Sequence, residues 1–330
     1  MAGSREEVGM RRVRFVVVAI ALVSVFVGAP LAGAVSTVPV AHVWVEPGAG
    51  LGFLDTAIVQ ARRSVDVSIY ELADAEVERD LAATAHRHVR VRVLLDAAYA
   101  GAYENAGAVA ALRAGGVTVA WAPTNQIFHA KYVVVDRTHA YIGTGNLTSR
   151  WYASTRDFWV EVTAPSTVAA IEAVFARDVE GRPVQPASTG GLVWSPGSTA
   201  SLVRLIDSAR HSLLIENEEM RSYTIEDALT AAARRGVTVT VVMTASPAWA
   251  SALGELAHAG VRVHTISPQG LYIHAKVICV DCVGARGTAF VGSENFSYAS
   301  LDYNRELGVV TTSPAVIAAV AGAISADAHR

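Results

Sequence analysis

The string His-Ala-Lys occurs twice in this chain, at 129–131 and 274–276, each time opening a strand-like run that closes on an aspartate. The copies read HAKYVVVD and HAKVICVD, so His129, Lys131 and Asp136 answer to His274, Lys276 and Asp281. A glycine-hydroxyl-x-asparagine turn follows each copy: Gly143-Thr144-Gly145-Asn146 and Gly292-Ser293-Glu294-Asn295. An acid then stands eleven residues past each asparagine, Asp157 in one half and Glu306 in the other. The repeat reaches well beyond these motifs. Ile58 to Ser64 matches Ile206 to Ser212 at an offset of 148, and Trp44 to Gly48 resembles Val193 to Gly197. A spacing of about half the chain predicts two like units and excludes a short-period solenoid.

Apolar periodicity predicts the same element order in both halves. Half one reads as helix 50–63, strand 65–71, helix 75–87, strand 89–95, helix 104–114 and strand 117–121. Strands near 130–136, 139–143 and 157–163 follow, then a helix over 165–179. Half two repeats this with helices 198–210, 224–235, 248–259 and 314–326. Its strands are 212–217, 237–243, 261–265, 274–280, 288–292 and 305–311. Strands alternating with amphipathic helices predict an α/β fold whose sheets are covered on both faces. The 330 residues, 52% apolar and 17% charged, suffice for two domains, each with its own core. The expected domains are 35–183 and 184–330, joined through the Gly- and Pro-rich stretch 181–191.

Residues 1–34 read as a cleaved export signal. Arg11, Arg12 and Arg14 precede an uncharged run from Phe15 to Val27, and Ala32-Gly33-Ala34 makes a small-x-small cleavage pattern. The apolar run is 13 residues, short for a membrane span. Residues 1–34 hold four arginines and two glutamates; without them, 23 basic groups face 28 acidic ones, a net charge of −5. That balance offers no general attraction to nucleic acid or anionic lipid. The two cysteines, Cys279 and Cys282, bracket Asp281. An oxidising compartment favours their pairing, yet on a straight strand residues three apart face opposite ways. Disulfide and buried thiols therefore both stay open, and neither is expected to carry chemistry.

The duplicated residues suit phosphate chemistry. On a strand, His129 and Lys131 share a face, as do His274 and Lys276. A carboxylate on one imidazole nitrogen fixes the tautomer, and Asp157 and Glu306 are the acids placed to do so. The lysines supply fixed positive charge for phosphate oxygens. The amides of Asn146 and Asn295 and the hydroxyls of Thr144 and Ser293 are expected to donate to phosphate as well. With two half-sites facing each other, one histidine attacks phosphorus while the other protonates the leaving alcohol. No metal or other cofactor is demanded, because the lysines neutralise developing charge. Asp136 lies seven residues past His129, about 23 Å along a straight strand. Asp136 and Asp281 therefore read as framework residues that close a turn.

The chain resembles the phospholipase D superfamily, whose His-x-Lys-x4-Asp and Gly-Ser-x-Asn signature is met twice. Thr144 departs from the usual serine but keeps the hydroxyl. The second copy has ten residues between Asp281 and Gly292 against six between Asp136 and Gly143, with Gly284 to Gly287 as a longer hairpin turn. The resemblance implies two α/β/α sandwich domains related by a pseudo-twofold axis, a phosphohistidine intermediate and no required metal. By analogy with two-copy members, His129 is favoured as nucleophile and His274 as acid; the residues alone leave the order open.

Aromatic and apolar residues flank the motifs: Phe128, Leu271, Tyr272 and Ile273 before them, Trp151, Tyr152 and Tyr298 after the asparagine turns. They fit either a substrate mouth or ordinary packing. His86 and His88 read as a solvated cluster at a turn, and His42 and His139 as structural or exposed. The expected function is a secreted, monomeric phosphodiesterase cleaving a phospholipid headgroup ester at a membrane or vesicle surface. Nucleic acid is the alternative substrate; a phosphatidyltransferase and an inactive lipid-binding module rank below it.

Overall fold

The computed structural model describes Met1 and residues 35–99, 101–283 and 286–330; the leader-like segment, and the Gly284-Ala285 part of the longer hairpin, lie outside them. Two sheets carry the same strand order. The first runs His42–Glu46, Thr155–Val162, His139–Gly143, Tyr132–Val135, Ser64–Ile69, Arg90–Leu95, Thr118–Trp121. The second runs Leu192–Ser195, Glu306–Thr311, Arg286–Gly292, Val277–Val283, Ser212–Glu216, Thr238–Thr244, Arg262–Ile266. In each, the last three strands are parallel and the others antiparallel. The edge strands His42–Glu46 and Leu192–Ser195 were not expected from periodicity.

Local chemistry sets the elements. Every residue of Ser64–Ile69 and of Thr155–Val162 is buried, the polar ones included, because both sheet faces are covered. Asp74 caps the helix Ala75–His86 by accepting from the backbone N–H of Glu76 and Val77. Proline opens both Pro165–Val179 and Pro314–Asp327, where its missing N–H has no intrahelical role. No helix among the described residues is long and apolar enough to cross a membrane.

Each half has an apolar cluster of its own, with Ile58, Leu81, Val93 and Leu112 in one and Leu205, Leu229, Val241 and Leu256 in the other. A third cluster is shared: Tyr132, Phe158 and Phe175 of the first half pack with Trp194, Leu307 and Ile324 of the second. Two buried ion pairs cross this interior reciprocally. Arg156 meets Asp327 at 2.7 Å, and Arg305 meets Asp178 at 3.0 Å. Residues 34–330 accordingly form one compact unit.

Asp136 follows the strand Tyr132–Val135 and Asp281 sits at a bulge inside Val277–Val283, both in the left-handed region, with φ of 54° and 51°. Asp136 accepts from the backbone N–H of Arg62, Arg63 and Ser64 at 3.0, 2.6 and 3.1 Å. Asp281 does the same with Arg210, His211 and Ser212 at 3.1, 2.7 and 2.9 Å. Burial pushes both carboxyls up, but these N–H donors hold them below the ordinary range. The turn at Asp281 also resolves the cysteines. Its register shift between Val280 and Val283 breaks the straight strand. Cys279 and Cys282 then lie 5.8 Å apart at Cα, against about 10 Å for a straight run, and form a disulfide.

Candidate active site

The two histidines meet because each motif enters through the other half. Just ahead of His129, the Phe128 backbone bridges to Arg305, and His129 donates its N–H to the Arg305 carbonyl at 2.9 Å. Just ahead of His274, the short strand Tyr272–Ile273 pairs in parallel with Thr155 and Arg156. Arg305 immediately precedes Glu306 and Arg156 immediately precedes Asp157, so each histidine is delivered to the opposite half's acid. His129 Nδ1 lies 2.9 Å from Glu306 Oε2, and His274 Nδ1 lies 2.8 Å from Asp157 Oδ1. The reciprocal exchange is that of an isologous, pseudo-twofold interface built within one chain.

Both imidazoles line one cavity of about 630 Å³, together with Asn146 and Asn295. The amide oxygens of these two asparagines are buried with no hydrogen-bond partner among the described residues. Lys131 and Lys276 are fully buried behind the histidines, and each donates to the backbone carbonyl of its own motif's histidine. Burial lowers the Lys131 ammonium to about 7, opposed by Glu306 and reinforced by Lys276. Burial likewise pulls His129 below its ordinary value, against the upward pull of Glu306, leaving a neutral ring at pH 7. Glu306 and Asp157 are pushed up by burial, yet the histidines they serve hold both below the usual carboxylate range.

Two expected phosphate ligands play a different part. Thr144 Oγ1 donates to Asp157 at 2.6 Å and accepts from Phe158 N–H at 2.9 Å, so its bonding capacity is spent. Ser293 Oγ accepts from Leu307 N–H at 3.1 Å and is likewise fully buried away from the cavity. Both hydroxyls fix the strand beside an acid. In the second half Ser300 supplies the bond to the acid, donating to Glu306 at 2.6 Å. Gly145 is required by the same crowding, since a Cβ there would sit 2.8 Å from the Asp157 carboxyl carbon.

Of the flanking aromatic and apolar residues, Trp151, Tyr152 and Tyr272 line the cavity, whereas Phe128, Leu271 and Ile273 are buried packing. Tyr298 is exposed and hydrogen-bonded to Tyr303. His42 and His139, without partners in the sequence, both contact Glu161, at 2.6 and 2.7 Å. Among the cavity residues that sequence reasoning missed are Tyr70, Glu71, Glu218 and Glu219. Glu218 lies 2.9 Å from Lys276 Nζ and 3.6 Å from His274 Nε2. Although burial opposes ionisation, His274 and Lys276 hold it far below the ordinary carboxylate range.

The family described as cardiolipin synthase, PLD-like domain matches residues 54–179 and again 202–327. The chain belongs to the phospholipase D superfamily. Solved structures similar to this superfamily member include the phosphatidylserine synthase of Haemophilus influenzae Rd KW20, at 10% identity and TM-score 0.69, covering 89% of this chain and 87% of that one. A second is the polyphosphate kinase of Porphyromonas gingivalis, at 16% identity and TM-score 0.67. That match covers 88% of this chain and 50% of the kinase, so the chain spans about half the kinase's length. A third, the phospholipase D family member Nuc of Salmonella typhimurium, has 18% identity and a TM-score of 0.40, covering 42% of this chain and 93% of that one. Among curated protein sequences, none matches the chain. At these identities the likeness establishes the fold: a mixed α/β chain with two phospholipase D-like domains. The superfamily's chemistry is phosphodiester transfer or hydrolysis.

This electrostatic arrangement has a signature in pH. If His129 is the nucleophile and Lys131 binds phosphate, the first must be neutral and the second charged. On the acid side, kcat/KM should therefore fall only below the ordinary histidine value of about 6.5. On the alkaline side it should fall as Lys131 loses its proton at about 7. Bound phosphate restores the ammonium, so the alkaline limb of kcat should lie higher than that of kcat/KM. Rate profiles from pH 4 to 10 check this; coincident alkaline limbs would contradict it.

Proposed function

We propose that the protein is an exported phosphodiesterase of the phospholipase D type, acting as a monomer and transferring a phosphatidyl group from its headgroup alcohol to water. One observation carries the lipid reading. The cavity wall includes Glu71, Asp157, Glu218 and Glu219 and no lysine or arginine among the described lining residues. A nucleic acid brings further phosphates on both sides of the scissile one and needs a basic track to hold them. A phospholipid brings a single phosphate, for which the buried pair Lys131 and Lys276 suffices.

The partners of the ring nitrogens support one assignment of roles. Glu306 accepts the Nδ1 proton of His129, leaving the Nε2 lone pair to attack phosphorus. His274 has a carboxylate near each nitrogen, which suits a ring that carries two protons and can release one. As the His129–phosphorus bond forms, the bond to the headgroup oxygen breaks and that oxygen takes the Nε2 proton of His274. His274 then removes a proton from water, which attacks phosphorus, frees His129 and yields phosphatidic acid. An alcohol in place of water would give transphosphatidylation through the same intermediate.

Export is supported by the leader-like N-terminus and by the Cys279–Cys282 disulfide, which suits an oxidising compartment. Purified protein, with chelator present, should release choline from phosphatidylcholine vesicles and leave single-stranded DNA intact. DNA cleavage without choline release would replace this reading with a nuclease. Protein recovered from the medium should begin at residue 35, and a retained leader would contradict cleavage.

A further inference from the structure

The two half-sites differ at one point on the cavity wall. At the offset of 148 that aligns Ser64 with Ser212, Glu71 answers to Glu219, but Tyr70 answers to Glu218. Beside His129 the wall is therefore aromatic: the Tyr70 ring stands edge-on at 4.8 Å, with Lys131 Nζ 5.2 Å from its centre. Beside His274 the wall is a carboxylate, bonded to Lys276 at 2.9 Å and accepting from the Tyr272 hydroxyl at 2.9 Å.

We propose that Glu218 is a specificity-determining residue that selects leaving alcohols bearing a positive charge, such as an amino-alcohol headgroup. This inference rests on the phosphatidyl-transfer reading and deepens it. The leaving alcohol must depart beside His274, the residue that protonates it, and hence on the Glu218 side. In the resting site Lys276 neutralises Glu218. A substrate phosphate entering between the histidines claims Lys276, and the mostly buried Glu218 carboxylate is left ionised without its partner. A headgroup ammonium restores the balance; a neutral polyol does not.

The neighbouring groups point the same way. Glu219 lines the same cavity and makes no ion pair among the described residues, while Arg150 offsets Glu71 at 3.0 Å. Tyr272, held in place by its bond to Glu218, and Tyr152 line the same cavity as aromatic neighbours for an ammonium, while Arg150 already stacks on Trp151 at 5.1 Å. The Tyr70 side has no such carboxylate and suits the lipid-borne part of the diester.

The test compares short-chain monomeric lipids, so that surface binding does not enter. Wild-type protein should hydrolyse dihexanoyl phosphatidylcholine or phosphatidylethanolamine with kcat/KM at least about 10-fold above dihexanoyl phosphatidylglycerol. Glu218→Gln should bring that ratio to within about 3-fold of unity, while Glu218→Asp, which keeps the charge, should retain the preference. Equal rates on the three lipids by wild type, or an unchanged ratio in Glu218→Gln, would overturn the role of Glu218 and leave phosphatidyl transfer standing. Cleavage of single-stranded DNA with no lipid turned over would overturn both.

Discussion

Replacing His129 or His274 with alanine will lower headgroup release from phosphatidylcholine by about four orders of magnitude, with KM little changed. Both rings face one cavity, and both are needed in each half of the reaction: one holds phosphorus while the other moves the proton. The losses should not add. The double variant should be no slower than the worse single one, within about 3-fold, because groups that act as a unit fail as a unit. Far-ultraviolet circular dichroism should show each single variant folded, since the imidazoles bond to acids and are not part of the apolar clusters. Residual activity above about 1% in either variant, measured by choline release, would contradict the paired-histidine scheme.

The second large effect concerns the crossed acids. Glu306→Gln should behave like loss of His129, and Asp157→Asn like loss of His274, each lowering kcat by about 10²–10⁴. The distinction becomes visible with phosphatidyl-p-nitrophenol, whose leaving group departs without a proton. Asp157→Asn should retain a rapid first release of p-nitrophenolate, because attack by His129 is intact. Glu306→Gln should lose it, because the attacking ring no longer has its tautomer fixed. Stopped-flow absorbance reads both. If each acid instead served the histidine of its own half, the two phenotypes would be exchanged.

The motif chemistry was legible because it is local. Histidine, lysine, asparagine and acid recur at fixed spacing, and the strand periods around them are strong enough to show the α/β repeat. What was not legible depends on chain segments meeting in space. The exchange of acids arises from Tyr272–Ile273 pairing with Thr155 and Arg156, and from Phe128 meeting Arg305, contacts with no counterpart in linear order. Thr144 and Ser293 looked like phosphate donors because they sit in the motif turn; the neighbouring strands had already claimed their hydroxyls. Glu218 passed unnoticed at the end of an apolar strand, although aligning the halves sets it opposite Tyr70 and so supplied a signal. The disulfide stayed open because a straight strand forbids it, and the left-handed turn at Asp281 that permits it follows from backbone bonds to Arg210, His211 and Ser212.

The convergence of two imidazoles on one phosphorus is tested most directly by trapping the intermediate. In His274→Ala, phosphatidyl-p-nitrophenol can still lose its leaving group to His129, but no ring remains to activate water. Quenched at neutral-to-alkaline pH and mapped by mass spectrometry, this variant should carry one phosphatidyl group per chain on the peptide containing His129, matched by one equivalent of p-nitrophenolate. An adduct on any other residue, or steady turnover with no adduct at all, would contradict nucleophilic attack by His129 within a shared site.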